Sequence, residues 1–319
     1  MPKLPPMEMR KLGSLEVSLV GLGCNNFGMR IDEERSTAVV HAALDAGINF
    51  FDTADVYGRT RSEQYLGRAL GARRNDVIVA TKFVAPVDDD PNHAGASARW
   101  VAEAVDGSLR RLGTDRIDLY QQHGPDPNVP IDETLTALDR LVRDGKVREI
   151  GNSNFSGAQI DEAESVSQRE GLAQFVSAQN HFNLLHREPL EDVVPACVQH
   201  GLGVLPYFPL ASGLLTGKYR RGEPAPEGTR LSHLPAERAS RVMSDRNFEQ
   251  VDRLRAFADE RGHTILELAF AWLAAQPAMS SIIAGATSPD QVAANVAAVD
   301  WRLPDADLME LDELLASSG

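Results

Sequence analysis

The sequence predicts a (β/α)8 TIM barrel, and three observations carry that prediction. Short apolar runs alternate with amphipathic stretches along nearly the whole chain, eight such runs occur, and most of them end in polar residues able to do chemistry. Alternating strand and helix patterns imply a parallel sheet with helices packed on its faces. Right-handed crossovers between eight parallel strands close most simply into a barrel, an open doubly wound sheet being the competing arrangement. Barrels run to roughly 250 residues or more as one unit, so the 319 residues read as a single domain over 1–319. Apolar residues at 43% and charged residues at 24% match ordinary globular usage and supply enough hydrophobic material for a large core.

Taken in order, Met9 to Val17 reads as a hairpin turning around Leu12, Gly13 and Ser14. The strand-like runs then come at Leu19 to Gly23, Asn49 to Phe51, Val77 to Ala80, Ile117 to Tyr120, Arg148 to Gly151, Phe175 to Ala178, Gly203 to Leu205 and Ser281 to Ala284. Between the first two, Val40, Ala43, Leu44 and Gly47 fall at helical spacing, with Asp32, Glu33 and Glu34 in the first turn, where the helix dipole favours acids. Gly47 then suits a left-handed cap. Val101, Val105, Leu109 and Leu112 form a similar stripe closed by Gly113. Further helical patterns cover Ile131 to Val142, Ser156 to Arg169, Glu188 to Gln199 and Glu249 to Arg261, and the stripe Leu266, Ala269, Phe270, Leu273 reads as barrel packing. Ala211 to Asp245 breaks the rhythm. It is rich in Gly, Pro, Arg and Ser, and a loop of that length is more often functional than idle.

Composition also excludes function classes. A net charge of −14 repels phosphate backbones and anionic membranes, so nucleic acid is not an expected partner. Met1 to Arg10 holds three prolines and no apolar run, and no later stretch approaches the roughly 20 apolar residues that span a bilayer. A cytoplasmic protein is expected. Cys24 and Cys197 are the two cysteines, too few for a disulfide scaffold or a thiolate zinc site. No metal is expected, because His41, His93, His181, His186, His200, His233 and His263 show no metalloprotease spacing. Gly21, Gly23 and Gly28 miss the dinucleotide fingerprint by spacing, and Gly213 to Lys218 is one residue short of a phosphate loop.

In a parallel barrel the active site lies at the carboxyl ends of the strands, so the residues at the end of each apolar run decide the chemistry. The second run ends in Asp52 with Tyr57 just beyond, the third in Lys82, the fourth in His123. The fifth gives Ser153 and Asn154, the sixth Gln179 and Asn180, the seventh Tyr207. Asp, Tyr, Lys and His at one mouth form a proton-transfer set. Tyrosine is a poor acid at neutral pH, and an adjacent ammonium from Lys82 would lower its pKa. Asp52 would keep that ammonium charged, and His123 would hydrogen-bond the carbonyl oxygen that receives the proton. Any one of these residues alone is more often an ordinary structural group; four at successive strand ends are harder to dismiss.

These residues resemble the aldo-keto reductase superfamily. The run Gly47-Ile48-Asn49-Phe50-Phe51-Asp52-Thr53-Ala54-Asp55-Val56-Tyr57-Gly58 with Ser62-Glu63 beyond it is similar to its first signature. Matches continue at Ala80-Thr81-Lys82, Ile117 to His123, Gly145-Lys146-Val147, Ser153-Asn154-Phe155 and Leu214 to Tyr219. The resemblance implies a barrel whose N-terminal hairpin closes the bottom, a catalytic tetrad at Asp52, Tyr57, Lys82 and His123, and hydride transfer from a nicotinamide to a carbonyl carbon. His123 favours carbonyl reduction, since relatives that reduce steroid double bonds carry Glu there. The resemblance further implies that Ser153, Asn154 and Gln179 hold the carboxamide while Tyr207 stacks on the nicotinamide. Phe208, Pro209, Leu210, Ser212, Gly213 and Leu214, with Lys218 and Arg230, would clasp the pyrophosphate. Gly285, Thr287, Gln291 and Asn295 match the adenosine and 2'-phosphate site, where free N–H groups at a helix start favour an anion. Two departures stand out: Phe208 replaces a common Ser, and no Lys or Arg lies near Thr287. NADPH is the expected cofactor, with NADH the alternative. The stretch Cys24, Asn25, Asn26 and Phe27, together with Phe83 and the acidic run Val87 to Asp90, is expected around the substrate. Two rival readings remain open: an NADPH-binding redox-sensing or regulatory subunit with little turnover, and a Schiff-base aldolase using Lys82.

Overall fold

Eight parallel strands form the main sheet of the computed structural model, which describes residues 7–316. The chain before Met7 and the last three residues of the expected 1–319 domain lie outside the described residues. A hairpin comes first, β1 (Met9–Leu12) and β2 (Leu15–Ser18). The sheet comes next as β3 (Val20–Gly23), β4 (Phe50–Asp52), β5 (Ile78–Phe83), β6 (Ile117–Gln122), β7 (Val147–Ser153), β8 (Phe175–Gln179), β9 (Gly203–Val204) and β10 (Ile282–Gly285). Strands β3 to β9 are neighbours in sequence order, and β10 pairs with β3. The ring then closes: the Val204 N–H donates to the Ala278 carbonyl at 2.8 Å, and the Ile283 N–H to that of Pro206 at 3.2 Å. An open sheet would leave these groups unpaired. Strand β9 is short because Pro206 has no N–H to continue a ladder, yet parallel bridging resumes at Tyr207 with both His181 and Ile283.

The helices outside the sheet are α1 (Glu33–Asp45), α2 (Arg61–Leu70), α3 (Ala98–Leu112), α4 (Ile131–Arg143), α5 (Gly157–Glu170), α6 (Val193–His200), α7 (Ala236–Val242), α8 (Asp245–Glu260), α9 (Ile265–Ala274), α10 (Pro289–Ala297) and α11 (Asp305–Ala316). Helix α1 begins where the Asp32 carboxylate caps the Arg35 N–H at 3.0 Å, and it buries Val39, Val40 and Ala43. Capping boxes start α5 (Ser156 with Gln159) and α9 (Thr264 with Glu267). The helix expected over Glu188 to Gln199 is split. Pro189 sits in a 3-10 turn, Glu188–Leu190, and Asp192 caps α6 afresh. Likewise the Ala211 to Asp245 stretch is not loop throughout, since it holds the 3-10 segments Ala211–Thr216 and Leu231–His233 and helix α7.

The hairpin plugs the floor of the barrel. Leu12, Leu15 and Val17 pack with Phe50, Ala80, Leu119, Leu205 and Ile283 in a small apolar cluster inside the ring. Arg10 Nη1 donates to the Met279 carbonyl at 2.9 Å and Ser280 Oγ to that of Lys11 at 2.7 Å, tying the plug to the start of β10. The larger core lies between the outer sheet face and the helices. No helix among the described residues is long and apolar enough to cross a membrane.

Candidate active site

Period-two alternation lifts a polar layer above that apolar floor. Phe50 on β4, Ala80 on β5 and Leu119 on β6 belong to the interior cluster; two residues further along the same strands stand Asp52, Lys82 and Gln121, joined by Gln179 from β8. Lys82 Nζ lies 2.6 Å from Asp52 Oδ1 and donates a second bond to the Thr53 carbonyl at 2.8 Å. Asp52 Oδ2 accepts from Gln121 Nε2 at 3.1 Å and Gln179 Nε2 at 2.9 Å. Both buried charges are therefore paired and hydrogen-bonded, the condition under which an interior ion pair is tolerated. Burial works against the Lys82 ammonium, but Asp52 and Tyr57 outweigh it, so its pKa sits above the ordinary lysine value.

Tyr57 stands on the turn after β4. Gly58 makes that turn possible: its φ is +60°, and a Cβ there would lie 2.3 Å from the Phe27 carbonyl. Lys82 Nζ is 5.1 Å from the Tyr57 ring centroid. The His123 ring meets Tyr57 edge-on, 5.7 Å between centroids at 75°. Burial raises the Tyr57 pKa, Lys82 opposes and Asp52 adds to the rise, and the balance is upward. The expected lowering is thus corrected: the ammonium acts in that direction, but its own carboxylate partner offsets it and desolvation prevails. Burial, then the Lys82 charge, pushes His123 down to about 3, so its imidazole is neutral. Its Nδ1 is buried with no partner among the described residues.

Asp52, Tyr57 and His123 line a cavity of about 770 Å³, with Lys82 fully buried just behind them. Ser153, Asn154, Gln179 and Tyr207 line it too. The Tyr207 hydroxyl donates to Asn154 Oδ1 at 2.8 Å, and Asn154 Nδ2 donates to the His123 carbonyl at 2.9 Å, so the tyrosine ring is fixed to the carboxyl ends of β6 and β7. His181 stacks on Tyr207 at 5.5 Å and 11°. Phe208, Pro209, Leu210, Ser212, Gly213, Lys218 and Arg230 form a second wall; Gly285, Thr287, Gln291 and Asn295 form the far end. The Arg230 guanidinium lies 4.4 Å over the Phe208 ring. Asn25 lines the cavity beside Gly285.

Leu214 turns its side chain into the core, and its expected contribution is through backbone groups. Three other expected site residues or segments lie elsewhere. Phe83 comes one residue after Lys82 and so faces outward, stacked on Tyr120 at 4.9 Å under the helices. Phe27 is fully buried in the same outer core. The acidic run Val87 to Asp90 is outside the cavity, where Asp88 pairs with His93 at 2.8 Å. Cys24 and Asn26 of the expected stretch line the cavity beside Asn25, and Leu266, read as packing, lines it too, as do Arg30 and Thr216. Nothing in the spacing of Arg30 marks it, because it sits in an irregular loop between β3 and α1.

A plugged parallel barrel with a proton-transfer set at its mouth, opening into a long cavity lined by cations, defines an oxidoreductase of the (β/α)8 class. The match to the Aldo/keto reductase family spans residues 19–316, and the chain belongs to that family. A rice protein named probable voltage-gated potassium channel subunit beta is 37% identical over 302 residues, 92% of each chain. The Bacillus subtilis aldo-keto reductase YhdN is 35% identical over 95% of this chain and 92% of its own. The versiconal hemiacetal acetate reductase of Aspergillus parasiticus is 32% identical over 96% of each.

Proposed function

We propose that this protein reduces aldehyde or ketone carbonyls to alcohols with NADPH, Tyr57 acting as the proton donor. One observation carries the reading: a phenol kept protonated by burial stands between a buried ammonium and a neutral imidazole at the wall of one cavity. Cavity chemistry fits the dinucleotide as well. Lys218 and Arg230 make no ion pair with a carboxylate among the described residues, and Tyr207 offers a ring at the mouth. When bound, the nicotinamide supplies a hydride to the carbonyl carbon. Tyr57 gives its proton to the oxygen as charge develops there, and Lys82 steadies the phenolate left behind. Asp52 keeps Lys82 charged through the 2.6 Å contact. His123, neutral, is suited to donate a hydrogen bond to the same oxygen and orient it. Ser153, Asn154 and Gln179, which line the cavity, would hold the carboxamide, and Lys218 with Arg230 the phosphates.

Bleaching of the reduced nicotinamide band with a panel of aromatic aldehydes, diketones and sugars tests this reading. Many turnovers per protein are expected. A single turnover with retained cofactor would instead favour a redox-sensing regulatory subunit; the rice relative is named a channel subunit, a name that allows a regulatory role without preferring it.

A further inference from the structure

The loop between β3 and α1 contributes a cation that no part of the proposed carbonyl chemistry uses. Arg30 lines the cavity, donates from Nη2 to the Gly228 carbonyl at 2.8 Å and from Nη1 to Asn26 Oδ1 at 3.4 Å, and keeps a buried Nε with no partner among the described residues. It forms no ion pair with a carboxylate among the described residues. Lys218 and Arg230 crowd it from the long loop and Arg35 from α1, and burial together with this mutual repulsion holds the pKa of Arg30, Lys218 and Arg230 below their ordinary values. Glu227 also lines this cavity, yet Arg30, Lys218 and Arg230 pair with no carboxylate among the described residues, so three cations facing one cavity favour an anion there.

Neighbouring contacts locate that anion. Arg35 Nη2 donates to the Thr287 carbonyl at 3.4 Å and Asn26 Nδ2 to that of Ala286 at 3.3 Å, so the β3–α1 loop lies against the start of α10, the end of the cavity bounded by Thr287, Gln291 and Asn295. From Gly285 to Trp301 the chain contains no Lys or Arg and two aspartates, Asp290 and Asp300. A phosphate monoester at that end must therefore take its positive charge from elsewhere. We propose that Arg30, supported by Arg35, is the residue that reads the 2'-phosphate of the cofactor and makes the protein selective for NADPH over NADH. This deepens the function proposed above and rests on it for the identity of the ligand. Arg30 also ties the site to the Gly228 turn, so the same side chain holds the long loop over the phosphate it contacts.

Binding, measured without turnover, tests the assignment. Fluorescence titration of wild type, Arg30→Gln, Arg30→Lys and Arg35→Gln with NADPH and NADH is to be compared with calorimetric titration of 2',5'-ADP, 5'-ADP and inorganic phosphate. We expect Arg30→Gln to weaken NADPH and 2',5'-ADP at least tenfold while changing NADH and 5'-ADP less than twofold. Arg30→Lys should restore part of the loss, and Arg35→Gln should show the same pattern more weakly. Equal losses for both dinucleotides, no loss at all, or a wild type indifferent to the 2'-phosphate would each overturn the proposal, as would binding of inorganic phosphate as tight as that of 2',5'-ADP. Should Arg30→Gln unfold, which its melting curve would reveal, Arg35→Gln and Arg30→Lys decide by the same criterion. Selective NADPH binding without carbonyl turnover would leave this assignment standing and remove the reductase reading.

Discussion

At the residue scale the site turns on which of two opposed effects prevails at Tyr57. A nearby ammonium lowers a phenol's pKa, but here that ammonium is already held by Asp52, and burial raises the pKa of Tyr57 above its ordinary value of 10.0. A group that must be protonated to act is active below its pKa, so reduction should persist across neutral and mildly alkaline pH and decline only as pH climbs towards and past 10. His123, pushed down to about 3, should add no limb between pH 5 and 9. A kcat/KM profile that is flat over that range and falls on the alkaline side is the expected result; a step near pH 6.5 that disappears in His123→Gln would contradict it. The types and strand-end positions of these residues were legible in the sequence. Their balance of charges was not, because it depends on how completely water is removed from Tyr57 and on the two glutamine amides, Gln121 and Gln179, that share Asp52.

Elements were legible where local chemistry decides them. Apolar stripes predicted α1 and α3; Gly113 caps α3 at φ +65° as expected, whereas Ala46 caps α1 and Gly47 follows it at φ +84°. Several strands continue past their apolar run into the polar residues named after it, β5 through Lys82 to Phe83 and β7 to Ser153, while β3 ends at Gly23 as expected. Apolarity alone does not mark these ends, because the upper barrel layer is polar. The same alternation corrects Phe83, one residue off the inward face, and Leu266 shows how a helix stripe can serve packing and cavity wall together. Contact between elements was invisible to the sequence. Gly67 on α2 is an instance, for a Cβ there would lie 2.3 Å from the Leu112 carbonyl at the end of α3. Gly67→Ala should push these helices apart and lower stability by about 1–3 kcal/mol, measured as a shift of the urea midpoint. An unchanged midpoint would mean that the two helices separate freely.

Across the whole molecule, the barrel converts sequence order into convergence. Tetrad residues spread from position 52 to 123 meet because β4, β5 and β6 are neighbours whose carboxyl ends point the same way. The hairpin plug closes the other end, so the cavity opens only where those strand ends lie. Ring closure, the plug and the mouth arise from eight alternations and a hairpin pattern, whereas the irregular β3–α1 loop, which carries Arg30 to the cavity, arises from no periodicity. The most direct test of the central claim is the rate of NADPH oxidation with an aromatic aldehyde for wild type and Tyr57→Phe side by side, with NADPH affinity measured for both. Loss of at least a hundredfold in kcat/KM for the variant, at nearly unchanged NADPH affinity, is the predicted result. Wild-type turnover in Tyr57→Phe would contradict the account.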